Sequence, residues 1–477
     1  MSIKYKTAAF DTKQLGDILG ADTKLTEGIT SIVTDSRESE SGALFVAIKG
    51  ERFDGHDFIG QAISRGAAAV IAERVPEGLD AEMRERVFVV ENSVAALGKV
   101  AEAYKSRISP KTVAVTGSVG KTTTKEFVFA VADSKYAAHK TVGNYNNEIG
   151  MPLSVLDMPE TTQVCVLEMG MSGLGEISRM TRIAKPDIAI ITNIGNSHIE
   201  NLGSRENICK AKLEIAEGVP ENGYVILNAD EPMLYAQKGK LDRELIFVSL
   251  SNPQADYRAL NIREYEDSTE FDLVAGRRVV TNVRIPTIGR HNVYDATYAF
   301  VVGTLLGMSD DEIKRGLMSF RNTGMRQNIY EYGGITIIED CYNAGPESMK
   351  AAVEVLARIA EKNGCRSVAV LGDMLELGDY SKQLHMEVGT LVASRHISNL
   401  VTFGHEAENI ALGAINHALK HESISINTNT EKPEAAARTV FGLIERGDAV
   451  LFKASRAVRL ERVIEELKRL IDENLNV

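Results

Sequence analysis

The sequence predicts an α/β protein of three domains, and three observations support this prediction. The chain has 477 residues, about three times the length of an average domain. Apolar strand-like segments alternate with helical patterns over residues 113–228 and again over 335–452, as expected for parallel sheets that are covered by helices. A glycine-rich loop stands between a strand and a helix in the first of these stretches.

These features divide the chain into a small α/β N-terminal domain at residues 1–92, a central parallel-sheet domain at 93–323 and a C-terminal, Rossmann-like α/β domain at 324–477. The segment 320–324 lies between the two larger domains and is expected to act as a hinge. Two α/β domains that face each other across a hinge can close over a ligand.

The overall composition argues against several classes of protein. The chain has 66 acidic and 54 basic residues, and its net charge of −12 argues against a general nucleic-acid or membrane-surface binder. No segment approaches the roughly 20 apolar residues of a membrane span, and the N-terminus lacks the apolar core of a signal peptide. The four cysteines form no CxxC pair. We therefore expect a cytoplasmic protein without membrane insertion, disulfides or a structural zinc.

The N-terminal segment places polar residues at the ends of its strands. Ser36 and Arg37 follow the strand-like segment 29–34, and a second polar loop surrounds His56. A ligand can lie against such strand ends, so Ser36 and Arg37 are candidate substrate-binding residues. The alternative is that they are ordinary turn formers and surface charges.

The glycine-rich loop spans residues 116–123 and has the sequence TGSVGKTT. It follows the apolar strand 112–115 and precedes a helical pattern at 124–132, which is the context that a phosphate-binding loop requires. Its glycines are closer together than in the usual pattern, which would place a glycine at Val115. The alternative is a glycine turn with an exposed lysine.

Each residue type in this loop suits an anion. Gly117 and Gly120 permit backbone angles that let consecutive N–H groups point at one phosphate, and the following helix adds the positive end of its dipole. Lys121 would reach the outer phosphates, while the Thr122 hydroxyl suits Mg²⁺. The central domain is therefore expected to be a P-loop ATPase domain, with these candidate nucleotide-binding residues: Gly117, Ser118, Gly120, Lys121, Thr122 and Thr123.

Further candidates follow the other strands of the central domain, where ligands bind in parallel sheets. Glu168 ends the apolar strand 164–168, and a carboxylate there needs a cation or a donor, with Mg²⁺ or a salt bridge as the alternatives. Asn146 and Asn147 lie in an amide-rich loop that suits either a substrate or a turn. His198 taken alone is more often a hydrogen-bonded loop histidine than a ligand.

Lys212 leans toward the apolar side of a helical pattern, because it follows Ile208 by four positions. An inward lysine needs a partner or a modification, unless its side chain extends along the apolar surface to water. His291 and Asn292 begin a later helical pattern, where they could cap the helix or contact a nucleotide base. In the C-terminal segment Asp340 stands just past a predicted strand, 335–339.

Taken together, these motifs resemble the Mur ligases over nearly the whole chain. The motifs that carry the resemblance are spread in order along the sequence: Asp35–Arg37 with Leu44–Phe58, residues 116–123, 144–150 and 289–296, Tyr342-Asn343-Ala344 with Pro346, and 371–378 with His385. Each motif alone is a moderate signal, but their order and spread are specific.

The resemblance implies a role for each candidate. Thr122 and Glu168 are expected to bind one Mg²⁺, and His198 with a carbamylated Lys212 is expected to bind a second. Carbamylation would turn a cation into an anionic oxygen ligand. The residues expected to contact ATP beyond the glycine loop are His291, Asn292, Arg326 at the γ-phosphate and Asp340 at the ribose. Those expected to be catalytic are Lys121, Lys212, His198 and Arg326, and those expected to contact substrate are Ser36, Arg37, Asn146, Asn147, Tyr342 and Asn343.

The resemblance also implies the reaction and the partners. A UDP-N-acetylmuramoyl-tripeptide would provide the carboxylate, ATP would activate it as an acyl phosphate, and D-alanyl-D-alanine would provide the amine. The N-terminal domain would hold the UDP end. We expect a monomer that binds these small molecules and no nucleic acid.

Four positions depart from the family pattern: Asp295, Glu339, Gly345 and Ala454 stand where Asn, Asp, Asn and Gly are usual. None removes a predicted metal or phosphate ligand. Gly345 and Ala454 lie in the domain that should receive the amine, so a related ligase with a different amine acceptor is the first alternative. The second is a non-catalytic nucleotide-binding regulatory protein that keeps the fold.

Overall fold

The computed structural model describes residues 2–5, 9–50 and 52–475, and its strands form three main sheets. Glu51, within the motif at 44–58, lies outside the described residues, as do the ends of the predicted N- and C-terminal domains. The three sheets fall within residues 2–89, 111–285 and 328–453, in agreement with the predicted α/β fold. The predicted boundaries after residues 92 and 323 lie between sheets and stay predictions.

The first sheet has five strands in the order β1-β4-β5-β6-β7, of which β1 is antiparallel to β4 and the others are parallel. Its strands are β1 (Ser2–Lys4), β4 (Ser31–Val33), β5 (Ala43–Val46), β6 (Ala67–Ala72) and β7 (Val87–Val89), and a separate pair is formed by β2 (Phe10–Asp11) and β3 (Gly28–Ile29). The helices of this segment are α1 (Thr12–Leu19), α2 (Ile59–Ser64) and α3 (Ala81–Glu85).

The second sheet has nine strands in the order β16-β15-β14-β13-β12-β11-β8-β10-β9. The strands are β8 (Lys111–Thr116), β9 (Ala138–Lys140), β10 (Val164–Glu168), β11 (Ile188–Ile191), β12 (Tyr224–Asn228), β13 (Glu244–Ser249), β14 (Tyr257–Glu264), β15 (Thr269–Ala275) and β16 (Arg278–Ile285). Strands β8 to β14 are parallel, whereas β14, β15 and β16 form an antiparallel meander that the sequence analysis missed.

Helices cover both faces of this sheet, as expected for parallel strands that are buried throughout. They are α4 (Ser93–Ile108), α5 (Lys121–Asp133), α6 (Gly150–Leu156), α7 (Glu176–Ala184), α8 (Ile199–Leu202), α9 (Arg205–Leu213), α10 (Pro232–Tyr235), α11 (Arg290–Leu305) and α12 (Asp310–Met318). The helix after the glycine loop begins at Lys121 and not at the predicted Thr124, because Gly120 takes a left-handed conformation and ends the loop there.

The third sheet has six strands in the order β17-β18-β22-β19-β20-β21, and only its edge strand β17 is antiparallel. Its strands are β17 (Asn328–Tyr332), β18 (Ile335–Glu339), β19 (Ser367–Gly372), β20 (Asn399–Phe403), β21 (Ile424–Asn427) and β22 (Ala449–Lys453). Its helices are α13 (Pro346–Asn363), α14 (Ser381–Ser394), α15 (Glu408–Asn416), α16 (Pro433–Leu443) and α17 (Glu461–Leu475).

The apolar pattern of the sequence explains the cores. Val463, Ile464 and Leu467 of α17 are buried against the third sheet, as their helical spacing predicts. The four cysteines are free thiols in this structure. None of the helices in the described part of the chain is long and apolar enough to cross a membrane.

Candidate active site

A cavity of about 840 Å³ lies between the second and third sheets. Loops that follow β8, β10 and β11 line one side of it, and loops that follow β18, β19 and β22 line the other. The carboxyl ends of parallel strands meet there, as the strand-end rule predicts. The predicted site residues that line this cavity are Ser118, Gly120, Lys121, Thr122, Thr123, Asn146, Asn147, Glu168, His198, His291, Asn292, Arg326, Asp340, Tyr342 and Asn343.

The glycine loop takes a backbone that only glycine permits at two positions. Gly117 has φ +152°, and a Cβ atom there would lie 1.8 Å from the Thr192 hydroxyl. Gly120 has φ +86°, and a Cβ atom there would lie 3.0 Å from an oxygen of Asp295. The loop therefore passes close to β11 and α11, which holds its N–H groups at the cavity.

The loop after β11 forms hydrogen bonds that hold the glycine loop in place. The Asn193 amide oxygen accepts a hydrogen bond from Val119 N at 2.9 Å, and Ser118 Oγ accepts one from Gly195 N at 2.8 Å. Lys121 Nζ donates to the Gly117 carbonyl oxygen at 2.8 Å. Burial lowers the pKa of Lys121, while Glu168 acts in the opposite direction. Lys121 is therefore poorly solvated, and an anion bound at the loop would interact with its charge without strong competition from water.

Glu168 is the buried carboxylate of the site, and its side chain is only 3% exposed. Its Oε2 accepts a hydrogen bond from the Thr122 hydroxyl at 2.9 Å, and its Oε1 accepts one from the Asn146 amide at 2.8 Å. Lys125 Nζ lies 3.8 Å from Oε2. A hydroxyl and a carboxylate held together beside a phosphate loop are oxygen donors of the kind that Mg²⁺ prefers.

Lys212 is buried on α9, with 2% of its surface exposed. It forms no hydrogen bond or ion pair with the described residues. Burial lowers its pKa well below the usual value, and the nearby charge of Lys121 lowers it further. Lys212 is not among the residues that line the cavity, and its burial agrees with the predicted inward orientation. The lowered pKa favours the neutral amine, which is the form that modification requires.

His198 lies in the loop after β11 with a left-handed backbone, φ +63°. Its Nδ1 contacts the carboxylate of Glu376, which lies in the loop after β19 on the opposite side of the cavity. This contact lowers the pKa of Glu376. The structure thus gives His198 a carboxylate partner that the sequence analysis did not identify.

The two predicted nucleotide contacts on α11 share one side chain from the third domain. The Gln327 amide oxygen lies 2.8 Å from His291 Nε2 and 3.2 Å from Asn292 Nδ2. The Gln327 amide nitrogen donates to the Ile288 carbonyl oxygen at 2.8 Å. His291 and Asn292 are therefore brought together at the cavity, and Gln327 satisfies their polar groups in this structure.

The remaining predicted residues of the third domain form two pairs. The Arg326 guanidinium stacks over the Tyr342 ring, 4.0 Å from its centroid. Asp340 Oδ2 accepts a hydrogen bond from the buried Lys453 at 2.6 Å. Asn343 contributes its carbonyl oxygen to the same lysine, at 3.1 Å. Arg326 and Asp340 both line the cavity, and their contacts with the γ-phosphate and the ribose stay predictions.

Ser36 and Arg37 lie in the first domain and do not line this cavity. Ser36 Oγ donates to the Gln61 side chain at 2.8 Å. Arg37 is highly exposed and pairs with Asp35, whose pKa the arginine lowers to about 2. The contacts seen in the structure are those of a polar turn, and the substrate-binding role stays a prediction.

The polar cavity residues that were not predicted from the sequence include Gln327, Glu347 and Glu376. Glu376 follows β19, so the strand-end rule that selected Glu168 and Asp340 could have found it. Gln327 and Glu347 gave no local signal, because their partners are distant in sequence. The described ranges contain no group of three or more His, Cys, Asp or Glu side chains that could hold a metal. A metal here would therefore need the Thr122 hydroxyl, a modified lysine or substrate oxygens.

The fold and the cavity define an α/β protein in which a phosphate-binding loop of one domain faces a second α/β domain. Three family descriptions match in order along the chain: "Mur ligase family, catalytic domain" at residues 28–105, "Mur ligase middle domain" at 115–303 and "Mur ligase, glutamate ligase domain" at 325–456. The chain belongs to the Mur ligase family, which confirms the resemblance.

Similar proteins share nearly the full length of the chain. The UDP-N-acetylmuramoyl-tripeptide–D-alanyl-D-alanine ligase of Bacillus subtilis is 40% identical over 444 residues, which cover 92% of this chain and 93% of the relative. The protein of the same name from Escherichia coli is 33% identical over 456 residues, covering 95% and 96%.

Solved structures agree with these relatives. MurF from Acinetobacter baumannii superposes with a TM-score of 0.86 at 30% identity and covers 98% of this chain and 100% of its own. MurF ligase from Thermotoga maritima, solved in complex with ADP, has a TM-score of 0.82 at 35% identity and covers 93% and 98%.

Asp295, one of the departures from the family pattern, generates a prediction about stability. Burial raises its pKa from 3.8 to about 7, although a 2.6 Å hydrogen bond from Thr124 favours the charged form. A carboxyl with a raised folded-state pKa binds its proton more tightly when folded, so stability is full below pH 4 and decreases as the pH rises to 7.

Asp295→Asn should remove this pH-dependent loss of stability, because an amide does not ionise. We expect the variant to gain stability relative to wild type between pH 5 and 8, by up to about 4 kcal/mol. Thermal unfolding midpoints measured across this range test the prediction, with exposed Asp379→Asn as the control. A midpoint difference between Asp295→Asn and wild type that does not change with pH would contradict it.

Proposed function

We propose that this chain is an ATP-dependent ligase that joins D-alanyl-D-alanine to the terminal carboxylate of a UDP-N-acetylmuramoyl-tripeptide in peptidoglycan precursor synthesis. ADP and phosphate are the other products. The observation that carries the proposal is the single cavity in which the glycine loop, Glu168 with Thr122, and Arg326 face one another. The names and the full-length similarity of the relatives support the same activity.

The first step activates an acid that is otherwise a poor acyl donor. An oxygen of the substrate carboxylate attacks the γ-phosphorus of ATP, the bond to the bridging oxygen breaks, and ADP leaves an acyl phosphate behind. Two anions must approach each other in this step, so cationic groups are needed. Lys121 and Arg326, from the two domains that form the cavity, are the cations proposed to contact the phosphates.

The second step forms the amide. The amine nitrogen of D-alanyl-D-alanine attacks the carbonyl carbon, a tetrahedral intermediate forms, and inorganic phosphate leaves as the amine loses its proton. Water would hydrolyse the acyl phosphate, so the cavity must exclude it while the amine enters. Its walls come from the second and third domains, and closure of these walls over the substrates would exclude bulk water.

The residues present suit a magnesium ion beside the glycine loop. Thr122 Oγ1 and Glu168 would hold it, since their oxygens already lie together, Glu168 is buried, and its ion-pair partner Lys125 Nζ is 3.8 Å away. When bound, Mg²⁺ neutralises charge on the phosphates and on the attacking carboxylate.

A second magnesium ion is proposed at His198 and a carbamylated Lys212. An unmodified ammonium does not suit a cation, but a neutral lysine nitrogen can attack CO₂, form a C–N bond and release one proton to give a carbamate. The burial of Lys212, its lowered pKa and its lack of a partner in the described residues support this modification.

The other predicted site residues have roles in the same proposal. His291, Asn292 and Asp340 contact the nucleoside, while Asn146, Asn147, Tyr342 and Asn343 contact the acid or the amine. Ser36 and Arg37 contact the UDP end in the first domain. The protein acts as a cytoplasmic monomer, and its domains are bounded near residues 92 and 323.

A panel of amines tests the function and both alternatives. Phosphate release should require ATP, the nucleotide sugar-peptide and an amine together, with D-alanyl-D-alanine giving the fastest rate. A coupled phosphate assay measures this. A faster rate with another amino acid or dipeptide would instead identify a ligase with a different acceptor. Absence of substrate-dependent phosphate release would favour the nucleotide-binding regulatory protein.

Lys212→Ala tests the carbamate. We expect turnover to fall by about 100-fold or more, because an anionic ligand of the reaction's cation site is lost. Lys212→Met is the matched control for volume, since it keeps most of the apolar stem and cannot be carbamylated. It should lose activity equally while keeping the thermal unfolding midpoint near that of wild type. Wild-type turnover in either variant would contradict the proposal.

A further inference from the structure

We propose that Glu376 is a positioning residue for His198: its carboxylate holds the imidazole so that Nε2 is free to bind the second magnesium ion. This inference rests on the proposed function, because it requires the metal site proposed there. The proposed reaction assigns no role to Glu376, which was not among the predicted site residues.

The contact joins two domains across the cavity. His198 follows β11 of the second sheet, whereas Glu376 follows β19 of the third. Glu376 Oε2 contacts His198 Nδ1, and both residues line the cavity. A carboxylate against Nδ1 favours the tautomer that carries its proton there, so the lone pair of Nε2 remains for a cation.

The backbone on both sides of the contact is unusual. His198 and Glu376 each have φ +63°, a left-handed conformation that residues with a side chain seldom take. Such conformations persist where the surroundings fix them. Here the two residues with this backbone are the ones whose side chains meet across the cavity.

A second set of contacts holds the two loops together. Glu200 N donates to the Glu376 carbonyl oxygen at 3.4 Å, and Gly378 packs so closely on Glu200 that a Cβ atom at 378 would lie 3.2 Å from it. Tyr380 Oη donates to the Gly203 carbonyl oxygen at 3.5 Å. The loop 376–380 therefore docks along α8, the helix that His198 begins, and its carboxylate reaches the imidazole from a defined direction.

The other carboxylates that line this cavity have different partners. Glu168 accepts from Thr122 and Asn146, Glu176 from Ser172 N, Asp295 from Thr124, Asp340 from Lys453, and Glu347 from Asn196. Among the cavity-lining carboxylates of the described chain, Glu376 is thus the one in contact with His198. Glu376 belongs to the third domain. It therefore orients His198, the proposed metal ligand in the second domain, when the two domains are docked as they are here.

Counting bound Mn²⁺ tests this role without relying on turnover. Full-length protein saturated with a non-hydrolysable ATP analogue is titrated with Mn²⁺, and free Mn²⁺ is measured by electron paramagnetic resonance. Wild type should take up two ions. Glu376→Ala should weaken one of them by about 10-fold or more and leave the other unchanged, as removal of a carboxylate behind a ligand histidine does.

Two further variants make the result specific. Glu376→Gln should weaken the same ion less, because its carbonyl oxygen can still accept from Nδ1–H. Asp379→Ala, an exposed change in the same loop, should leave both ions unchanged. Wild-type Mn²⁺ affinities in Glu376→Ala, or equal weakening of both ions, would overturn the positioning role. Uptake of only one ion by wild type would refute the two-ion site itself, and this inference with it.

Discussion

The burial of charge at the carboxyl edge of the second sheet is the constraint on which the site depends. Glu168, Lys125 and Lys212 are almost inaccessible to water, so each needs a partner inside the protein. Glu168 has Thr122 and Asn146, and Lys125 has the Thr141 carbonyl oxygen at 2.9 Å and Glu126 at 3.0 Å. Lys212 lacks such a partner in the described residues, and the proposed carbamate would meet this need.

The cavity also depends on the way two domains meet. The contacts that cross it are His198 with Glu376, Asn196 with Glu347, and Asn292 with Gln327. Each joins a loop at the end of a strand or the start of a helix in the second domain to a polar side chain of the third. A ligase that activates a carboxylate on one side and receives an amine on the other requires such an arrangement, because neither domain alone provides all the groups.

Much of this architecture was predictable from the sequence, for a physical reason. Strands β8, β10 and β11 are buried on both faces, so they appear as continuous apolar segments. Lys121, Glu168 and His198 lie at or just past the ends of these strands and line the cavity, as the strand-end rule predicts. The meander β14–β16 was missed because its exposed side carries polar residues that break up the apolar pattern. Gln327 and Glu347 were missed because their partners are brought near only by folding.

In the proposed reaction the substrate carboxylate attacks the γ-phosphorus of ATP. Labelling that carboxylate with oxygen-18 and analysing the released phosphate by mass spectrometry tests it directly, since the attacking oxygen becomes part of the acyl phosphate and leaves with the phosphate. We expect one labelled oxygen in the inorganic phosphate formed with each amide. Phosphate that contains no label from the carboxylate would contradict the account.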